Sequence, residues 1–225
     1  MTRVAYAFSQ VVCWLFFRLR CGLEVSGQAH VPKRGGVLVA CNHTSFLDPP
    51  VLGAACPRPL RFMARADLFT GTLGMYMRSV GVIPLKRGEA DPSAVRAAVT
   101  ALRSGEAVAI FPEGGRQLSG RLGQARRGVG LLAELAQVPI VPALIQGTYQ
   151  ALPPHTTRLQ QAKIRVAFGP AIPYTYSPIP GPTPAQGASR SADGEVGSRA
   201  SRVHHEQLAE AVTQAWRCLE ADSQR

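Results

Sequence analysis

The chain reads as one α/β domain, a mixed and largely parallel sheet flanked by helices, with an apolar helix at its N-terminus. Three observations predict this. Short apolar runs such as "VLVA" (37–40), "AVAIF" (107–111) and "VPIVPALI" (138–145) have the character of strands buried on both faces, as parallel strands are. They alternate with stretches of helical period, the order of a sheet built from crossover connections. A chain of 225 residues, 46% of them hydrophobic, is long enough for one substantial core and short for two domains.

The elements follow in order. "VAYAFSQVVCWLFFRLR" (4–20) is apolar for about fourteen residues, interrupted by Ser9 and Gln10 and closed by Arg18 and Arg20. A spanning helix needs about 20, and no small-residue cleavage site of signal-peptide type is present. Aromatic side chains at Tyr6, Phe8, Trp14, Phe16 and Phe17, flanked by arginines, suit a helix over residues 1–22 lying in a bilayer interface. Packing on the domain's own core is the alternative. "GLEVSGQAHVPKRGG" is a short strand and turn leading to "VLVA". A helix follows from Pro49 with proline in its first turn. "LRFMARADLF" begins as a strand and turns, and "GVIPL" is the next strand. "DPSAVRAAVTALRSG" is a helix with Asp91 as cap, Pro92 in the first position and Gly105 as its stop.

"EAVAIFPEGGR" is a buried strand running into a glycine turn, "RRGVGLLAELAQ" a helix, "VPIVPALIQG" a buried strand, and "KIRVAFGPAIP" an edge or late strand. Residues 174–202 are rich in Pro, Gly and Ser with no apolar period, which predicts a flexible segment. A last helix, 203–221, places Leu208, Val212, Ala215, Trp216 and Leu219 on one face, spacing suited to docking on the domain. His204 and His205 lie at its start, read as exposed.

Composition excludes disordered and fibrous classes. The net charge of +11 points to an anionic partner: nucleic acid, a phosphorylated small molecule or an anionic membrane surface. Residues 1–34 carry Arg3, Arg18, Arg20, Lys33 and Arg34 against Glu24 alone. Five cysteines form no CxxC pair and no metal-ligand spacing, so they read as free thiols of a reducing compartment. Cys41 ends a strand and lacks the surroundings of a nucleophile.

Three stretches carry chemistry. In "NHTSFLD", His43 lies three residues beyond a strand end, where α/β sheets gather their ligands. Histidine takes protons near neutral pH, and a carboxylate five residues on, Asp48, can orient it if the chain turns between them. Ser45 as cap and Phe46 and Leu47 as inward anchors would make that turn. A capped turn without chemistry satisfies the same residues. In "GVIPLKRG", Lys86 and Arg87 stand at a second strand end; in "FPEGGR", Glu113, Gly114 and Arg116 form a turn whose amides and guanidinium suit a phosphate. From Arg116 to Arg127 there are four arginines and no acid.

In order and spacing, "NHTSFLD", "GVIPLKR", "FPEGGR" and "VPIVPALI" resemble the four blocks of the glycerolipid acyltransferase family, and within it the bacterial 1-acylglycerol-3-phosphate (lysophosphatidic acid) acyltransferases. The resemblance extends from about residue 23 to 173. The third block departs from the usual pattern at Gly115 and Gln117, which puts the shape of the acceptor pocket in doubt. The resemblance implies the glycerolipid-acyltransferase fold over 23–173 and His43 as general base oriented by Asp48. Lys86, Arg87 and Arg116 would hold the acceptor phosphate, and Glu113 with Gly114 would position its glycerol part. Backbone amides near His43 would stabilise the oxyanion. It implies a lysophospholipid acceptor, an acyl carrier protein or CoA thioester as donor, no metal or other cofactor, no nucleic-acid partner, and a peripheral place on the cytoplasmic face of the cell membrane in phospholipid synthesis. Three alternatives stay open. The acceptor could be glycerol 3-phosphate, another lysophospholipid or a lyso-aminolipid. His43, Asp48 and Glu113 could instead be the ligands of a metal phosphohydrolase. The chain could also be a non-enzymatic binder of anionic lipid.

Overall fold

The computed structural model describes residues 3–86, 91–175 and 193–223. Among them, seven strands form one sheet in the order β1-β7-β6-β2-β5-β3-β4. In chain order these are β1 (Glu24–Ser26), β2 (Val37–Cys41), β3 (Leu60–Arg65), β4 (Ile83–Leu85), β5 (Ala107–Ile110), β6 (Ile140–Gln146) and β7 (Arg165–Phe168). All neighbours pair in parallel except β6 with β7. The last strand is therefore not at the edge, because β1 covers its outer side.

β2 and β5 are buried at every position, and β6 at all but its last residue. Alternate side chains enter the two halves of the core. Val37, Val39 and Cys41 pack with Val51, Leu52 and Ala109 on one face. Leu38 and Ala40 pack with Leu102, Leu132, Leu208 and Trp216 on the other. The central strands are thus apolar throughout because both faces are covered.

The helices are α1 (Arg3–Cys21), α2 (Asp48–Ala55), α3 (Gly71–Ser79), α4 (Pro92–Arg103), α5 (Gly128–Ala136), α6 (Thr148–Ala151) and α7 (Asp193–Asp222). α4 is capped as its sequence predicts: the Asp91 carboxylate accepts from the N–H groups of Ser93 and Ala94 at 3.0 and 3.3 Å. The Ser93 hydroxyl, the Lys86 N–H and these two bonds hold the Asp91 carboxyl down at about 2. α3 and α6 were not foreseen as helices. "GTLGMYMRS" has two glycines in its first four residues, and Thr70 before it makes no side-chain cap bond, while α6 spans only four residues.

The segment expected to be flexible over 174–202 lies largely outside the described residues, but its last part, from 193, is helical and belongs to α7. The helix starts ten residues earlier than its apolar face predicts. Once the packed turns fix a helical nucleus, propagation adds one bond for each residue fixed. α7 docks through Leu208, Val212 and Trp216, which are fully buried, and the Trp216 indole donates to the Ala40 carbonyl at 3.1 Å. α5 passes so close that a Cβ on Gly130 would lie 2.6 Å from the His205 backbone. His204 and His205 are half-buried rather than exposed. His204 Nε2 meets the Tyr174 carbonyl at 2.7 Å, and His205 Nε2 meets Glu134 of α5. Both are anchors of α7.

α1 lies against α2. Tyr6 and Phe17 are buried, Tyr6 Oη accepts from the Leu60 N–H at 2.9 Å, and Gln10 Nε2 donates to the carbonyls of Gly53 and Cys56. The opposite face, with Val4, Phe8, Phe16 and Leu19, is exposed. The two readings of the N-terminal helix therefore divide between its faces: Tyr6 and Phe17 belong to the core, while Phe8, Trp14 and Phe16 point away from it. By length and composition alone, Val4–Cys21 is also apolar enough to cross a membrane.

Candidate active site

The site forms where three neighbouring parallel strands end. The loop after β2 carries Asn42 to Leu47, the turn after β5 carries Phe111 to Arg116, and the turn after β6 carries Gly147 and Thr148. Parallel order places all three carboxyl ends on one edge of the sheet, the usual location of an α/β site. Asn42 fixes the first loop to β6: its side chain accepts from the Ile145 N–H at 2.7 Å and donates to the Ile145 carbonyl at 3.0 Å.

His43 and Asp48 meet. His43 Nδ1 lies 2.8 Å from Asp48 Oδ2, with the imidazole 18% exposed and the carboxylate fully buried. Nδ1 is taken by the carboxylate, so Nε2 is the nitrogen left to accept a proton. The Phe111 ring stacks on the imidazole, centroids 4.3 Å apart. Asp48 Oδ2 also accepts from the N–H groups of Thr44 and Ser45 at 2.7 and 2.8 Å. The turn that brings the pair together is therefore organised by the aspartate itself.

This corrects three expectations. Ser45 is not the cap of α2, which begins after Leu47 without a side-chain cap; its hydroxyl accepts from the Leu47 N–H at 3.3 Å and donates to the Leu152 carbonyl at 2.8 Å, so it supports the turn from outside the helix. Leu47 does pack against the core, but Phe46 is 61% exposed, since it serves the Arg116 guanidinium, whose carbon sits 3.6 Å above its ring. The amides of His43, Thr44 and Ser45 cannot serve an oxyanion, because each already donates to a buried carboxylate.

Glu113 is the carboxylate that holds the His43 N–H, at 2.9 Å through Oε2; its Oε1 accepts from the Gly123 N–H at 2.9 Å. Burial pushes the Glu113 carboxyl up, against the opposing effect of those two N–H groups. A second bond, from the Gln117 N–H to the His43 carbonyl at 2.7 Å, completes the join between the two loops. Gly114 has φ +80°, a conformation that strains any side chain, and a Cβ there would also displace the Arg126 guanidinium, 2.7 Å away. Arg116 Nη1 is buried without a hydrogen-bond partner. Lys86 is exposed and its N–H donates to Asp91 at 3.0 Å; Arg87 lies outside the described residues.

An apolar cavity of about 310 Å³ lies on the other side of Phe111, lined among others by Tyr6, Phe46, Phe62, Leu73, Tyr76 and Phe111. It lies between α1, α2 and α3, and Phe111 forms both its wall and the face of His43. Cys41 is fully buried, and burial pushes its thiol well above the ordinary range, which leaves no thiolate for nucleophilic chemistry. Among the described residues no three His, Cys, Asp or Glu side chains gather to hold a metal ion. The oxygens of Asp48 and Glu113, which a metal phosphohydrolase would need, are already committed to N–H and O–H donors.

Four participants were missed in the sequence: Phe111 as a stacking partner, Phe46 as a platform, Thr148 and the cavity. Phe111 and Phe46 sit inside the quoted motifs, and their aromatic type beside a histidine and a cation was the available signal. Thr148 follows the "VPIVPALI" strand at its carboxyl end, and only the strand order places it next to Asp48. The cavity depends on α3, which sequence did not announce.

A family model described as Acyltransferase matches residues 22–146. The chain is similar to the 1-acyl-sn-glycerol-3-phosphate acyltransferase of Bacillus subtilis (strain 168), 29% identical over 144 residues, 63% of this chain and 71% of that protein. It is 33% identical over 166 residues to a probable 1-acyl-sn-glycerol-3-phosphate acyltransferase of Mycoplasma pneumoniae, covering 67% of this chain and 62% of that one. It is 35% identical over 132 residues to the human 1-acyl-sn-glycerol-3-phosphate acyltransferase alpha, covering 57% and 46%. The chain thus spans less than two thirds of the length of the last two. The crystal structure of the 1-acyl-sn-glycerophosphate (LPA) acyltransferase, PlsC, from Thermotoga maritima shares the fold, with a TM-score of 0.74 and 20% identity over 99% of this chain and 80% of that one.

Proposed function

The chain belongs to the acyltransferase family, and on that premise we propose that it transfers a fatty acyl group from a thioester to the free hydroxyl of 1-acylglycerol 3-phosphate, giving phosphatidic acid. The donor is an acyl carrier protein or CoA thioester. The observation that carries this reading is the His43–Asp48 pair stacked on Phe111, itself a wall of an apolar cavity, with the buried, unpartnered Arg116 Nη1 on the adjoining loop. A base, an apolar slot and an unsatisfied guanidinium match the hydroxyl, the acyl chain and the phosphate of such a reaction.

His43 Nε2 takes the acceptor's hydroxyl proton as that oxygen attacks the thioester carbonyl carbon. Asp48, bonded to Nδ1, holds the ring and stabilises the imidazolium. The tetrahedral intermediate collapses, the C–S bond breaks, and the imidazolium returns its proton to the departing thiolate. Arg116, with Lys86 and Arg87, receives the acceptor phosphate. Glu113 acts by holding the His43 backbone, and with Gly114 it shapes the turn against the acceptor's glycerol part. The exposed face of α1 rests in the membrane that supplies the acceptor, at its cytoplasmic side.

A panel assay tests the reading. Purified protein is given acyl-carrier-protein and acyl-CoA donors with 1-acylglycerol 3-phosphate, glycerol 3-phosphate, other lysophospholipids and 1-acylglycerol. Phosphatidic acid should form at least about tenfold faster than any product of an unphosphorylated acceptor. Equal rates with 1-acylglycerol would remove the phosphate from the account.

A further inference from the structure

We propose that Thr148 is a positioning residue for the catalytic pair, holding the Asp48 carboxylate at the orientation that His43 requires; the proposal rests on the acyl-transfer reading of that pair. Thr148 is fully buried, and its hydroxyl donates to Asp48 Oδ1 at 2.6 Å. The three other donors to this carboxylate, His43 Nδ1 and the N–H groups of Thr44 and Ser45, all converge on Oδ2. Those three fix the position of one oxygen and leave the carboxylate free to rotate about it. Thr148 supplies the bond to the second oxygen, and so the plane of the carboxylate relative to the imidazole.

The Thr148 hydroxyl is itself held. Thr44 Oγ1 lies 3.3 Å from Thr148 Oγ1, so a proton from Thr44 can occupy the acceptor side of Thr148 while Thr148 gives its own proton to Asp48. A line of hydroxyls then runs from Thr44 through Thr148 to the aspartate and on to His43. The backbone before it is equally constrained. Gly147 has φ +88°, and a Cβ there would lie 2.0 Å from the Lys163 carbonyl oxygen, so the chain leaves β6 through a turn only glycine can make. That turn sets Thr148 at the start of α6, against the loop of the neighbouring strand β2.

The test compares Thr148→Val, which keeps the shape and removes the hydroxyl, with Thr148→Ser, which keeps the hydroxyl. Thr148→Ala is the second variant should the valine protein not fold. The expected result for Val or Ala is a fall in kcat of about 10- to 100-fold, the scale of a misplaced catalytic group, with the acceptor KM changed by less than about twofold. Ser should stay within about threefold of the parent. In an Asp48→Asn background, Thr148→Val should cost less than about twofold more, because its effect runs through the carboxylate. The downfield NMR signal of the His43 Nδ1 proton, identified by its loss in Asp48→Asn, should move in Thr148→Val and stay in Thr148→Ser. Equal losses from Ser and Val, full additivity with Asp48→Asn, or an unmoved proton signal would overturn the proposal. Absence of acyl transfer by the parent protein would refute the proposed function instead, and the proton signal would then decide the positioning by itself.

Discussion

At the residue scale, the site is an arrangement of buried carboxylates, each of which holds more than one thing. Asp48 grips two side chains and two amides at once, and Glu113 ties the backbone of His43 to the loop that carries Arg116. The pairing of His43 with Asp48 was legible through the company of the other blocks, because their spacing alone fits a capped turn without chemistry equally well. The task of Glu113 was not, since its partners are backbone N–H groups that no residue type reveals. Glu113→Gln tests that task. A carboxylate accepts from both the His43 and Gly123 N–H groups, whereas an amide turns its NH2 toward one of them. One lost bond costs about 1–3 kcal/mol, and removal of a buried charge offsets a cost of similar size. We expect kcat to fall about tenfold or more while the urea midpoint moves little. Unchanged kcat would show that the bond to His43 does not position the base.

At the element scale, the strands were readable and some helices were not. β2, β5 and β6 advertise themselves because burial on both faces demands apolar side chains throughout. α3 does not, since only Gly74 of its nine residues is buried, and its Leu73, Tyr76 and Met77 face an open cavity rather than the packed core. α4 was legible to its cap, and the cap supplies a pH test. Its folded carboxyl titrates at about 2 rather than near 3.8, so its stabilisation is fully present above the higher value and is lost as pH falls through the lower one. The stability gap between the parent and Asp91→Asn, followed by urea unfolding, should be flat above about pH 5 and close between about pH 4 and pH 2. A gap that persists at pH 2 would contradict the cap's role. α1 carries the membrane prediction. Truncation would expose the buried Tyr6 and Phe17, so the cleaner test is Phe8→Gln, Phe16→Gln and Leu19→Gln together, all on the open face. Each apolar side chain withdrawn from a bilayer forfeits about 1.5–3 kcal/mol, so affinity for anionic vesicles should drop at least about 100-fold in flotation assays. Undiminished flotation would place the membrane contact elsewhere.

At the scale of the whole molecule, strand order explains why residues far apart in sequence share one site. β2 lies between β5 and β6, so His43, Glu113 and Thr148 come from three neighbouring strand ends although they are 70 and 105 positions apart along the chain. The four sequence blocks marked three of those ends, which is why the catalytic pair and the arginine turn were readable. The cavity was not, because it is a space between α1, α2 and α3 rather than a property of any one segment. The net charge of +11 suits the proposed phosphorylated acceptor and an anionic membrane surface. The account's central claim is that His43 is the base for acyl transfer to a phosphorylated acceptor. It is tested most directly by the rate of phosphatidic acid formation from 1-acylglycerol 3-phosphate by the parent protein and by His43→Ala, with circular dichroism confirming that both are folded. The account predicts product from the parent and a loss of at least about 1,000-fold in the variant, the scale of removing a base and its proton transfer. A folded His43→Ala protein that retains more than about a tenth of the parent's rate would contradict it.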